Sequence, residues 1–258
     1  MLTRTIHAVA VVLFFLSAPS AFAAADCLAM AGNVPRVHLA ALEADQVQLT
    51  YLGHSTFLIE SAGGTRIATD FTGYAGGVMP DAVTMNRAHS SHYTDFPDPA
   101  IKHVLRGWDP EGGIARHDVE VGDVRIRNVT TDIRRGDMRI PNANSIFVFE
   151  VAGLCIGHLG HLHHELNLEH LGAIGRLDVV LVPVDGGYTM AQTNMLEVLK
   201  SLKARVVIPM HYFGPSTLAR FIANVGGVFE LQTMTEPTLV LSAATLPDKP
   251  KLIVLPGY

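Results

Sequence analysis

In the first half of the chain, short apolar runs are broken by Gly, Ser and Asp; in the second half, long apolar runs alternate with amphipathic ones. Residues 46–52, 56–60 and 66–69 are rich in β-branched or aromatic side chains and are separated by Gly53-His54-Ser55 and Ser61-Ala62-Gly63-Gly64. That pattern predicts three consecutive strands in an antiparallel meander. A short apolar strand follows at 81–85. Strands at 124–130 and 144–151 flank the polar stretch 131–137, whose two acids and two bases read as a solvated loop. Residues 145–150 and 153–156 form a buried hairpin that leads into Gly157-His158-Leu159-Gly160-His161-Leu162-His163-His164. Beyond it the period changes. A short helix at 165–174 is followed by a continuously apolar strand at 177–184, of the kind buried on both faces. A helix at 189–203 carries its apolar stripe on Met190, Met195, Leu196, Val198, Leu199 and Leu202, with Thr189 as its cap. A buried strand at 205–210, a helix at 216–225 and strands at 238–242 and 252–255 complete the chain. Strands first and then strand-helix alternation make this an α/β (α+β) protein.

The N-terminus carries a separate message. Arg4 precedes an apolar run at 8–16, and Ala21-Phe22-Ala23 supplies the small residues of a cleavage site. Residues 1–23 therefore read as a signal peptide, 24–45 as an N-terminal extension and 46–258 as one domain, in a periplasmic or secreted protein. The apolar run is too short for the roughly 20 residues that span a bilayer, so no stable membrane anchor is expected. Hydrophobic residues make up 48% of the chain, charged residues 17%, and the net charge is −5. No basic stripe is available for a nucleic-acid partner. Cys27 and Cys155 are the only cysteines. Their compartment permits a disulfide, while the apolar setting of Cys155 suits a buried thiol equally well.

The candidate chemistry lies where strands end. Asp70, His89 with His92, Asp132, His158 with His161, and His211 each follow a predicted strand, and rigid strand ends are what a preorganised metal site requires. Neutral imidazole is the commonest metal ligand, and Gly157 and Gly160 would leave backbone room beside an ion. Asp70 reads either as a turn cap or as a group orienting a ligand, with capping slightly favoured.

These residues resemble a family. Leu52-Gly53-His54, Thr69-Asp70, the His89/His92 turn, His158-Leu159-Gly160-His161, Asp185-Gly186-Gly187-Tyr188-Thr189-Met190 and Pro209-Met210-His211-Tyr212 look like the metallo-β-lactamase-fold hydrolases, in the branch of L-ascorbate-6-phosphate lactonase-like proteins. The resemblance runs from about residue 47 to 212 and implies a four-layer αβ/βα sandwich with a metal site at one edge of its sheets. It also implies departures. Against the family's H-x-H-x-D-H motif this chain has Arg87-Ala88-His89-Ser90-Ser91-His92. Arg87 stands for the first histidine, Ser91 for the aspartate, and His161 for the aspartate of a later Gly-Asp pair.

From this comparison His89, His92, His161 and His211 are expected to hold a divalent metal, zinc first, with iron, copper and manganese as alternatives. One ion is favoured over two. Arg87 is expected to replace a second cation, meeting an anionic substrate group or pairing with Asp132 or Asp95. Asp132, or whichever of His158, His163 and His164 does not ligate, would be the general base, and Arg87 or Tyr188 would steady an oxyanion. His54 reads as structural more readily than as a ligand. The expected activity is metal-assisted hydrolysis of an ester, lactone, amide or phosphodiester in a small-molecule substrate. A decayed relative that binds metal or ligand without turnover is the alternative. The stretches 73–81 and 101–115, with Trp108, are candidate pocket walls.

Overall fold

The computed structural model describes residues 44–257. The signal segment 1–23, Cys27 and nearly all of the 24–45 extension lie outside them. Among the described residues no helix is long and apolar enough to cross a membrane.

The chain forms β1 (Gln46–Tyr51), β2 (Phe57–Ser61), β3 (Arg66–Ala68), β4 (Ala82–Met85), β5 (His103–Arg106), β6 (Asp118–Val121), β7 (Val124–Arg135), β8 (Met138–Val151) and β9 (Leu154–His158). It continues through α1 (Leu168–Ile174), β10 (Val179–Pro183), α2 (Gln192–Leu202), β11 (Val206–Met210), α3 (Pro215–Val225), β12 (Glu230–Thr233), β13 (Thr238–Ser242) and β14 (Lys251–Val254). Two sheets result, ordered β13-β1-β2-β3-β4-β5 and β12-β14-β11-β10-β9-β8-β7-β6. The expected meander is present: β1 pairs antiparallel with β2, and β2 with β3. In the second sheet β9, β10 and β11 run parallel, joined by helices, and all five residues of each are buried.

The sheets pack face to face. Leu49, Phe57, Ile59 and Ile67 of the first meet Phe147, Phe149, Ile156, Leu181 and Ile208 of the second in one apolar cluster. Each fully buried aromatic or branched side chain is worth about 1.5–3 kcal/mol relative to exposure. The outer face of the second sheet, with Val148, Val180, Val182 and Val207, is covered by Met195, Leu199, Phe221 and Val225 of α2 and α3. Irregular chain covers the outer face of the first sheet, where Phe71, Ala75, Ile101 and Trp108 pack on Ala68, Val83 and Met85. The sandwich is therefore helical on one side and looped on the other. Trp108, 9% exposed and edge-on to Tyr93 at 5.5 Å, belongs to this core and not to a pocket wall.

Three local expectations are revised. The stretch 131–137 is not a loop: β7 runs to Arg135 and β8 starts at Met138, with only Gly136 and Asp137 in the turn. Helix α2 starts at Gln192 on Ala191, without a side-chain cap, because Thr189 is occupied elsewhere: its hydroxyl donates to Asp185 at 2.5 Å. Cys155 is fully buried and disulfide-bonded, which removes the free-thiol reading.

Candidate metal centre

The loops that leave β1, β3, β4, β9, β10 and β11 at one edge of the two sheets carry His54, Asp70, His89 with His92, His161, Asp185 and His211. Ligand atoms of His54, His89, His92 and His211 all lie within 4.8 Å of one another. The His161 ring joins them, with its centroid 5.2 Å from His89, 4.9 Å from His92 and 4.9 Å from His211. Three of the four expected ligands thus share one cluster of ligand atoms with His54, and the ring of the fourth, His161, packs against it.

Hydrogen bonds set which nitrogen faces inward. The buried Asp70 carboxylate accepts from His92 Nδ1 at 2.6 Å, and Asp185 accepts from His211 Nδ1 at 3.0 Å. A carboxylate only accepts, so both Nδ1 atoms carry hydrogen and both Nε2 atoms are bare in the neutral rings. Those two Nε2 atoms face each other at 3.0 Å. His161 Nδ1 lies 2.6 Å from His163 Nε2, where either ring can donate, and its Nε2 is buried with no hydrogen-bond partner among the described residues. Two bare nitrogens facing each other in a buried space repel one another unless a cation lies between them. Two imidazoles on one tetrahedral zinc, at the usual Zn–N of about 2.0–2.1 Å, would place their nitrogens about 3.3 Å apart, close to the observed spacing. The donor set therefore fits a divalent metal that accepts nitrogen ligands.

The supporting residues are as specific as the imidazoles. Asp70 Oδ1 accepts from Asn86 Nδ2 at 2.9 Å, so Asp70 orients a ligand and does not merely cap a turn. Asp185 gathers the N–H groups of Gly187, Tyr188 and Thr189 on Oδ2. His54, Asp70 and His211 have φ of 50°, 40° and 55°, strained values for residues with a Cβ, each costing roughly 1–3 kcal/mol and typical of functional sites. The strain is held by cross-links between turns, because His54 O accepts from His211 N at 2.6 Å and from the Tyr51 hydroxyl at 2.9 Å. Ser91, which stands for the family's aspartate, lies 2.5 Å from His89 Nδ1 and 2.8 Å from His54 Nε2 and joins those rings.

Crowding keeps His54, His89 and His161 uncharged. Desolvation first, then neighbouring imidazoles, hold His54 down at about 3, His89 at about 4 and His161 lower still. Burial alone would raise Asp70, but His158, His92 and the hydrogen bonds from His92 and Asn86 outweigh it and keep the carboxyl below its ordinary range.

Other expected roles are redistributed. Asp132 is not at the centre: its carboxylate is engaged by Arg139 and by Asn142 N, and it lines a separate groove of about 730 Å³ with His170 and Asn167. Arg87 is exposed, and among the described residues no ion pair joins it to Asp132 or Asp95, so the pairing role is not realised. His158 donates from Nε2 to Ser55 O, and its Nδ1 accepts from Gly160 N; His164 donates to Glu165 O and accepts from Asp132 N. Both are structural. His163 remains beside the centre as the partner that orients His161.

The glycines also serve another purpose. A Cβ on Gly160, at φ +59°, would meet Asn86 Nδ2 at 2.4 Å and Asn144 Oδ1 at 2.5 Å, and one on Gly157 would meet Leu177 at 2.6 Å. Their missing side chains admit neighbours of the loop and leave no space for an ion. Asn144 pins the loop by accepting from His161 N at 2.7 Å.

Two clefts flank the imidazoles. One of about 340 Å³ is bordered by His54, Ser91 and Tyr74, the last from the 73–81 stretch. The other, about 290 Å³, is bordered by His89, His161, His163, Arg134, Arg135 and Tyr188. Exposed Phe213 and Tyr188 pack edge to face at 5.4 Å nearby, with Phe213 also 5.3 Å from His211.

A two-sheet sandwich with its imidazoles at one edge defines a class, and the chain matches the Beta-lactamase superfamily domain over residues 48–211. It belongs to that family. Among its relatives, the UPF0173 metal-dependent hydrolase of Archaeoglobus fulgidus is 25% identical over 196 residues, covering 64% of this chain and 83% of the relative. That of Pelotomaculum thermopropionicum is 27% identical over 192 residues, covering 64% and 84%. A solved structure from Thermotoga maritima, a candidate Zn-dependent hydrolase of the metallo-beta-lactamase superfamily, aligns with a TM-score of 0.57 at 28% identity, covering 81% of this chain and 98% of that one.

Proposed function

We propose that this protein is a metal-dependent hydrolase, secreted or periplasmic, that opens an ester, lactone, amide or phosphodiester bond in a small molecule. One observation carries the reading. His92 and His211 each have Nδ1 held by a buried aspartate and Nε2 turned to the other at 3.0 Å, with ligand atoms of His54 and His89 within 4.8 Å of theirs, which is how a protein presents metal ligands. The names of the UPF0173 relatives support the hydrolytic reading, and the Thermotoga maritima neighbour supports zinc. The likeness to L-ascorbate-6-phosphate lactonase-like proteins makes lactones the first substrates to try. The apolar run at 8–16 and its cleavage-site pattern support export.

His92, His161 and His211, with His89 as a fourth, would hold the metal; when bound, it supplies an acidified water and a Lewis acid for the scissile carbonyl or phosphoryl oxygen. The single shared centre favours one ion. The protein's own residues divide the remaining work. Asp70 and Asp185 fix the tautomers of His92 and His211, and His163 holds the His161 ring. The Ser91 hydroxyl lies between His89 Nδ1 and His54 Nε2 and holds both rings in place. Tyr188 at the cleft rim is a candidate donor to a developing oxyanion. A binding protein without turnover is the second reading, favoured by the serine in place of the family's aspartate.

Metal content by mass spectrometry, paired with lactone and ester panels, tests both. Hydrolysis by the wild type, and metal lost together with activity in His161→Ala, are the expected results. Stoichiometric metal without turnover on any panel selects the binder. Wild type without metal overturns the proposal.

A further inference from the structure

The β7-β8 hairpin contributes none of the five converging imidazoles, yet its tip reaches the centre. Arg134 and Arg135 border the same cleft as His89, His161 and His163. Arg135 is fastened there, donating from Nη2 to Ala88 O at 2.9 Å beside His89. Arg134 is exposed, with no ion pair among the described residues, whereas its cross-strand neighbour Arg139 is committed to Asp132. No carboxylate borders this cleft, since Asp70 is buried beneath His92 and Asp185 is occupied by His211, Thr189 and three backbone N–H groups. An unpartnered guanidinium, a second one docked beside it and a wall without acids form a receptor for an oxyanion, which a planar fork binds with two parallel hydrogen bonds.

We propose that the hairpin tip selects substrates carrying an anionic group, a carboxylate or a phosphate, next to the bond to be broken, and that Arg134 reads that charge. Tyr188 on the same rim offers an aromatic face to the adjoining part of the molecule. The clause about the broken bond rests on the hydrolase reading; the anion receptor does not.

The test separates the two. Chelator-treated full-length protein is titrated calorimetrically with phenyl phosphate, phenylacetate and neutral benzyl alcohol. One anion, or both, is expected to bind at least fivefold more tightly than benzyl alcohol, and that preference is expected to disappear in Arg134→Glu and persist in Arg220→Ala on α3. The tighter anion identifies the class. Equal binding by wild type and Arg134→Glu, or no anion binding, overturns the inference. On the metal-loaded protein, the ratio of kcat/KM for 4-nitrophenyl hemisuccinate over 4-nitrophenyl butyrate is expected to fall at least fivefold in Arg134→Glu, and an unchanged ratio also overturns it. If neither ester is turned over, the hydrolase reading suffers while the titration still decides the receptor.

Discussion

Asp185 does for His211 what solvent could not: it holds one ring nitrogen protonated so that the other is available to a cation. Its own position is over-determined by three backbone N–H groups and the Thr189 hydroxyl, and burial, which would raise its carboxyl, is outweighed by hydrogen bonds from His211, the Thr189 hydroxyl and the Gly187 and Thr189 N–H groups, which hold it far below the ordinary range. Replacing it by asparagine removes the charge that stabilises the ring's orientation. Asp185→Asn is expected to weaken metal binding about 10–100-fold, measured by competition with a chromogenic chelator; affinity within twofold of wild type would deny Asp185 this role. The imidazoles themselves were legible, since His89, His92, His161 and His211 each follow a strand. Their partners were not. Asp70 lies 22 residues from His92 and Asp185 lies 26 from His211, so nothing local couples them. Two clues were available, because each aspartate falls within two residues of a buried strand's end. His54 was legible only as part of a Gly-His-Ser turn, and its inward orientation comes from a strained φ that the fold imposes.

Strands with uninterrupted apolar runs, β9, β10 and β11, are plain in the sequence because both of their faces are buried. Edge elements are not. Strands β5 and β12 are short and partly polar, and 131–137 reads as loop because the charged residues at the β7-β8 turn, Arg134, Arg135 and Asp137, are exposed. The loop after β9 is the element on which the centre depends most, and Gly160 sets its course. Gly160→Ala is expected to destabilise the protein by about 2 kcal/mol, combining positive-φ strain with displacement of Asn86 and Asn144. Urea unfolding measures the loss, and metal occupancy should fall with it because Asn144 would release His161 N. A loss under 0.5 kcal/mol would mean that the loop has room the structure does not show.

At the scale of the molecule, the first sheet supplies His54, His89 and His92 and the second supplies His161 and His211, so the centre lies across the seam between them. Acid acts on that seam directly. His54 and His89 titrate ordinarily at 6.5 but are held near 3 and 4 in the fold. Below about pH 6.5 the unfolded chain binds protons that the folded, metal-free chain refuses until about pH 4, so stability is complete above pH 6.5 and declines as the pH falls toward 4. Melting temperatures of chelated protein between pH 7.5 and 4.5 should drop on acidification, and a flat or rising profile would contradict the neutral cluster.

The arginine-bearing ribbon also bears on how such a protein could diversify. Its turn is two residues long and lends nothing to the grip on the cation, so mutations there can exchange one clientele for another without retuning the reactive core.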